Sequence, residues 1–324
     1  MQLGFWKHPP PAAPEAEPLI EALYASLSEA QRREICLPWD CADERRGLVR
    51  GFIANHWQVT PPCVRGDFFN PTQQAVIFEI FQHLLTAKWQ PRFLQALKDD
   101  TKGHNWGQDQ SIAFLGTPGN GPWQFVFSGR HLTLRAQSPG ASDFAFGGPV
   151  VYGHAVQGSF QEHPQHPGNV FWPQAIAASQ VHALLDERIR HEAEVDELPR
   201  EYEIGFRATP QGAKVAAFPR PAKSAFNDLL QFLMEPYCTA ERERIRVCIA
   251  AQGGIESLSL AFARAPRMSA PLWDVWRIEG PAFVWHFQGF PHVHGWVHIA
   301  NSPRAGAIRA RHGSFLFPGQ DELR

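Results

Sequence analysis

Apolar residues at Leu19-Ile20, Leu23-Tyr24, Leu27 and Ile35 recur at helical spacing and predict one amphipathic helix over 19–35. Glu29, Arg32 and Arg33 form its polar face, and Pro38-Trp39-Asp40 ends it. Residues 41–55 read as a second, shorter helical or turn segment anchored by Phe52-Ile53, and 57–69 as a loop or short strand. Asn70-Pro71-Thr72 marks a helix start, a cap residue followed by proline at the first helical position. Its buried stripe is Ala75-Val76-Ile77, Ile80-Phe81 and Leu84-Leu85, and it stops near Lys88. A further short helix spans 90–97.

Beyond residue 100 the period shifts towards two. Trp123, Phe125 and Phe127 alternate with Gln124, Val126 and Ser128, so 109–116 and 121–135 read as strands about a turn at 117–122. Residues 144–153 are glycine-rich, but Gly147-Gly148 lacks the following Lys-Ser or Lys-Thr of a phosphate loop. A polar loop, 153–169, holds His154, Glu162, His163 and His166 and reads as a surface loop or lid. After it come a helix over 172–192, strand–turn–strand over 202–217, helices over 224–234 and 239–251, and a strand over 255–264. The tail 304–324 docks through Phe315-Leu-Phe. The pattern predicts an α+β fold: a flexible arm over 1–18, then a single domain over 19–324. Within it, a helical lobe (19–100) packs on a mainly antiparallel sheet with additional helices (101–324).

Composition narrows the function. Thirty basic and 32 acidic residues give a net charge of -2, which argues against a nucleic-acid or anionic-membrane partner. Five scattered cysteines make neither a disulfide framework nor a zinc spacing. The N-terminus lacks the pattern of a signal peptide, and no apolar run has the length of a membrane helix, so a cytoplasmic protein is expected. The 11 Trp, 24 Phe and 15 His stand against only 4 Tyr and draw attention to aromatic and histidine chemistry. Oligomeric state is left open.

That chemistry concentrates between Trp276 and His298. On an extended backbone His292 and His294 face the same way, about 7 Å apart at Cα, within reach of one metal ion. His298 lies roughly 13 Å further along the strand and falls outside. His286 has the same parity, and reaches the site only through a hairpin return at 289–291. His131, at the end of an aromatic strand, and His154, in a glycine-rich turn, are further candidates. Three histidines with an open position suit Zn²⁺, Cu²⁺ or Fe²⁺ and would activate water or O₂. A metal-free route would use His131 or His154 as general base, oriented by Glu162 or Glu279. No Gly-x-Ser-x-Gly or His-Glu-x-x-His is present. Two other readings stand beside the enzyme. One is a binding protein for an aromatic or carbohydrate-like ligand, with Trp123, Trp285 and Trp296 as platforms; the other is a satisfied histidine cluster in a structural protein.

Several motifs occur in a particular order: Leu27-Ser-Glu-Ala-Gln-Arg-Arg33, Phe114-Leu-Gly-Thr-Pro118, Gly129-Arg-His131-Leu, Gly147-Gly-Pro-Val-Val-Tyr-Gly153, Ile278-Glu-Gly-Pro281 and His292-Val-His294. Over residues 20 to 300 this order resembles a bacterial and fungal family of unknown function, DUF3500. The resemblance implies that His131, His292 and His294 are family-pattern positions; it carries no established reaction. The family's middle motif reads Gly-His-His-Leu, where this chain has Arg130 before His131. Its late strand carries glutamate near His286, and it has arginine near Ala300. The expectation is a metal-dependent oxidase or hydrolase of a small organic substrate, with His131, His292, His294 and conditionally His286 as ligands. His154 would serve as acid/base, and Arg130 would hold an anionic substrate group.

Overall fold

Ser28 divides the predicted 19–35 helix. Its side chain accepts from the Gln31 amide while Gln31 reaches back to the Ser28 amide, so α1 (Glu17–Ser26) ends and α2 (Glu29–Ile35) starts afresh. The computed structural model describes residues 16–138, 143–155, 168–263, 272–304 and 308–317. Next come β1 (Cys36–Leu37), β2 (Ala42–Asp43), β3 (Gly47–Leu48) and β4 (Phe52–Trp57). The 41–55 segment, expected as helical or turn, is a short β2–β3 hairpin with its turn at 44–46, a 3-10 turn over Val49–Gly51 and then the start of β4. Every residue of β4 is buried, and a strand buried on both faces loses the alternation that would reveal it. The two long helices of the N-terminal lobe are α3 (Pro71–Leu84) and α4 (Gln90–Asp100). Asn70 caps α3 as expected, and α4 runs three residues beyond its predicted end.

The sheet then builds from β5 (Ser111–Gly116), β6 (Trp123–Gly129), β7 (Leu132–Gln137) and β8 (Val150–His154). The predicted 121–135 strand is two strands, because the chain reverses at Arg130-His131 with His131 at φ +47°. Asp186 accepts from the Ile189 amide and splits the 172–192 helix into α5 (Trp172–Ala183) and α6 (Glu187–Ala193). Of the expected strand–turn–strand over 202–217, only β9 (Ala213–Lys214) forms. The preceding stretch instead lays Tyr202, Ile204 and Phe206 over the sheet. After α7 (Arg220–Met234) and α8 (Thr239–Ala251) come β10 (Ser259–Ala263), β11 (Val275–Gly280), β12 (Phe283–Gln288) and β13 (Val293–Ile299). Last is β14 (Arg309–Phe315), which puts Phe315 against Phe52 as the docking reading requires.

Ten strands share one sheet in the order β1-β5-β6-β7-β8-β13-β12-β11-β10-β9, antiparallel except for the β1–β5 pair. The architecture is α+β, with N-terminal helices on a large mixed sheet and further helices after it. One face carries the main core, in which Phe125, Tyr152, Trp285 and Val297 meet helix residues such as Phe81 and Leu233. The other face is covered by the parallel β4–β14 pair and the 202–206 stretch, over Val151, Val284 and Trp296.

Arg135 fastens that cover. Its buried guanidinium donates to the carbonyls of Phe52 (2.6 Å), Pro149 (2.8 Å) and Arg50 (3.0 Å) and to Gln124 Oε1 (2.7 Å). Among the described residues no helix is long and apolar enough to cross a membrane. Trp123, Trp285 and Trp296 are all buried, so the ligand platforms expected of them are core residues.

Gly295 pairs with Tyr152 across β13 and β8, and a Cβ there would run into the Tyr152 ring. That ring is fixed by Gln174 Oε1 (2.6 Å) and the Trp285 indole N–H (2.9 Å), so it has no free direction in which to yield. Gly295→Ala is expected to cost about 1–3 kcal/mol as an overpacking change. Denaturant unfolding checks this, and an unchanged midpoint would contradict the packing described.

Candidate metal centre

Strand parity does what the spacing predicts. Val293, Val297 and Ile299 point into the main core, while His294 and Trp296 point to the opposite face. His292 stands just before β13, with its ring centroid 4.4 Å from that of His294. His131 arrives from the β6–β7 reversal. Asn55 of β4 accepts from the His131 amide at 2.6 Å, and His56 bridges to Arg130, so β4 holds the turn. Gly153 lies beneath the rings: a Cβ there would meet the Val293 carbonyl and sit 3.2 Å from His294 Cδ2 and 3.3 Å from His131 Cβ.

The ligand-capable atoms of His131, His292 and His294 all lie within 4.8 Å of one another. The residues are 5%, 8% and 3% exposed. Two of the rings are clamped from behind. His131 Nδ1 is 2.7 Å from Asp100 Oδ2, and His294 Nδ1 is 2.7 Å from Glu201 Oε2. Burial alone would raise both carboxyls, but their surroundings outweigh it. His131, Arg130 and His154 hold Asp100 well below its ordinary range. His294, His286 and His312 bring Glu201 down to about 2. Burial also lowers His131, against the opposing pull of Asp100.

Ionised carboxylates accept, so each ring turns an Nδ1–H to its carboxylate and its Nε2 to the other ring. Those two Nε2 atoms face each other at 3.0 Å. At that distance one proton between them makes an N–H···N hydrogen bond, and a metal ion in its place takes both lone pairs. Metal–imidazole bonds of about 2.0–2.1 Å place two nitrogens of a tetrahedral ion about 3.3 Å apart. The donor set therefore fits a divalent transition metal, and the cluster is able to coordinate one. Carboxylate-backed histidines are a recurring support of such centres.

The other expected site residues are placed differently. Arg130 Nε is 3.2 Å from Asp100 Oδ1, and the Arg130 side chain is 22% exposed. His154 ends β8 beside the same helix terminus, with Nε2 3.7 Å from Asp99 Oδ2, and does not join the three nitrogens. The hairpin return does bring His286 to the same face, cross-strand from Arg277 and Trp296. It too stays outside the trio, and neither of its ring nitrogens has a hydrogen-bond partner among the described residues. His298 lies elsewhere, stacked on Phe206 at 4.2 Å. Glu279 is engaged by Arg277 (2.8 Å), not by a histidine. Glu162, His163 and His166 fall outside the described residues.

Sequence reasoning missed Asp100, Glu201, Gly153 and His312. The last is 59% exposed on its side chain, with Nε2 3.4 Å from Glu201 Oε1. One signal was available for Asp100. Asp99-Asp100 occupies the C-terminal turn of α4, where carboxylates oppose the helix dipole and need another partner. No protein family, curated protein or solved structure was found to match the chain.

The buried charges set the pH response of the metal-free protein. Burial, reinforced by nearby arginines, lowers His56 to about 4 and both His286 and His298 to about 3, from an ordinary 6.5. The unfolded chain thus takes up protons at these sites before the folded one does. Stability is full above pH 6.5 and falls as the pH drops towards 3. Asp100 and Glu201, lowered in the fold, add a loss of the same sign below their ordinary 3.8 and 4.5. The denaturant midpoint of chelator-treated protein should be lower at pH 4.5 than at 7.5. A midpoint equal or higher at 4.5 would contradict the assignment.

Proposed function

We propose that the protein is a metal-dependent enzyme acting on a small organic substrate at the His131–His292–His294 centre. The observation that carries this reading is the 3.0 Å approach of two imidazole nitrogens whose partner nitrogens are both held by carboxylates. Three neutral imidazoles with no thiolate suit Zn²⁺, Cu²⁺ or Fe²⁺, and three protein ligands are the number typical of catalytic centres. When bound, such an ion supplies Lewis acidity for activating water or dioxygen, the chemistries of a hydrolase or an oxidase.

The chain's own residues have separate tasks in this reading. Asp100 and Glu201 fix ring orientation and tautomer. Arg130 is oriented through its Nε by Asp100, which leaves its terminal nitrogens to bind an anionic group of the substrate. His154, beside Asp99, is the candidate to exchange protons with that end of the site. Membership of the DUF3500 family, suggested by motif order, belongs to the same proposal.

Untagged protein purified without added metal should carry about one transition-metal ion per chain by elemental analysis. The ion should be lost in His131→Ala, His292→Ala and His294→Ala. Asp100→Asn and Glu201→Gln should weaken metal binding roughly 10- to 100-fold in chelator competition. Wild-type protein that neither retains nor takes up a metal ion would overturn the reading. Identification of the ion chooses the chemistry: zinc points to hydrolysis, copper or iron to oxidation.

A further inference from the structure

A cavity of about 530 Å³ opens between α3, α4 and the loop that follows α4, lined by Arg65, Phe78, Leu94, Asn105, Trp106 and Gln108. It shares no residue with the histidine centre. Leu94 stands six residues before Asp100 on α4, about 9 Å along the helix axis. Its volume falls within the range of small-molecule sites, ~300–1,000 Å³.

The apolar wall is built of packed rings. The Trp106 ring stacks on Phe127 (5.7 Å between centroids, 13° between planes) and takes Phe78 edge-on at 4.8 Å. Phe81 supports it at 5.6 Å.

The polar side is also built. The Arg65 amide donates to the Gly107 carbonyl at 2.7 Å, and a Cβ at Gly107 would meet Arg65 Cγ at 2.7 Å. With φ at +91°, Gly107 is the residue that lets the arginine stem lie against the loop. Arg65 Nη1 donates to the neutral amide oxygen of Gln74 at 3.3 Å, and among the described residues no carboxylate pairs with Arg65. Asn105 and Gln108 form a turn in which the Asn105 backbone amide donates to Gln108 Oε1 at 2.6 Å, and both residues line the cavity.

We propose that this cavity is a second binding site, for a planar aromatic molecule carrying a carboxylate. The ring system lies on Trp106, Phe78 and Leu94, which offer π faces and aliphatic contact. The carboxylate faces Arg65, which pairs with no carboxylate among the described residues and whose fork matches two oxygens. The side-chain amides of Asn105 and Gln108 supply further donors. This assignment is independent of the metal-centre reading.

Titration calorimetry with 2-naphthoate tests it, with 2-naphthamide as the neutral counterpart. The wild type should bind one naphthoate saturably and the amide at least tenfold more weakly. Arg65→Ala, at an exposed position, should lose roughly tenfold or more in naphthoate affinity. Trp106→Phe, which keeps an aromatic ring in the wall, should also weaken binding. His292→Ala should bind as the wild type does. The proposal is overturned if binding is not saturable, or if Arg65→Ala and Trp106→Phe leave it unchanged. It is equally overturned if His292→Ala abolishes it, since the ligand then sits at the histidines.

Discussion

Two imidazole nitrogens, on rings whose opposite nitrogens are each held by a carboxylate, face one another at 3.0 Å. In the metal-free protein one proton between them makes an N–H···N hydrogen bond; with a metal ion in its place the same contact is the start of a coordination sphere. The remaining geometry of the centre follows from maintaining this arrangement in a buried place. Burial would neutralise Asp100 and Glu201 if they stood alone, and the histidine rings beside them reverse that tendency. The two carboxylates, kept ionised, hold the Nδ1 side of both rings and leave the Nε2 side turned to the centre of the cluster.

Three distant parts of the chain meet to achieve this. The helical lobe supplies Asp100 from the end of α4, the sheet supplies the histidines, and the irregular stretch after α6 supplies Glu201. The β6–β7 turn that carries His131 is in turn held by β4, which Arg135 fastens to the sheet through the Phe52 carbonyl. β4 therefore links the stability of the sheet's covered face to the position of one ligand. Gly153 is the local concession, since any side chain there would occupy space taken by the Val293 carbonyl and the two rings.

The legible parts were those with local causes. The α+β class, the Asn70 cap and the 239–251 helix follow from periodicity and capping chemistry. The pairing of His292 with His294 follows from strand parity alone. Helix breaks at Ser28 and Asp186 were written in side chains able to cap, but apolar spacing on both sides masked them. β4 was hidden because burial on both faces removes alternation. Glu201 lies 93 residues from His294 and Asp100 lies 31 from His131, so no local pattern could pair them. The tryptophans misled for a related reason: a large aromatic on a strand reads alike whether it faces a ligand or the core, and Trp123, Trp285 and Trp296 all face protein. His286 shared the parity of the ligands, yet its register sets it opposite Trp296, one row away from His294.

The central claim concerns which atoms surround the ion, and X-ray absorption at the metal edge of the purified protein reads that directly. The account predicts a first coordination shell with three nitrogen scatterers at about 2.0–2.1 Å and the outer-shell signature of imidazole rings. His292→Ala, which does not retain the ion, should give no such signature after the same purification. A shell dominated by sulfur, or one of oxygen alone with no imidazole scattering, would contradict it.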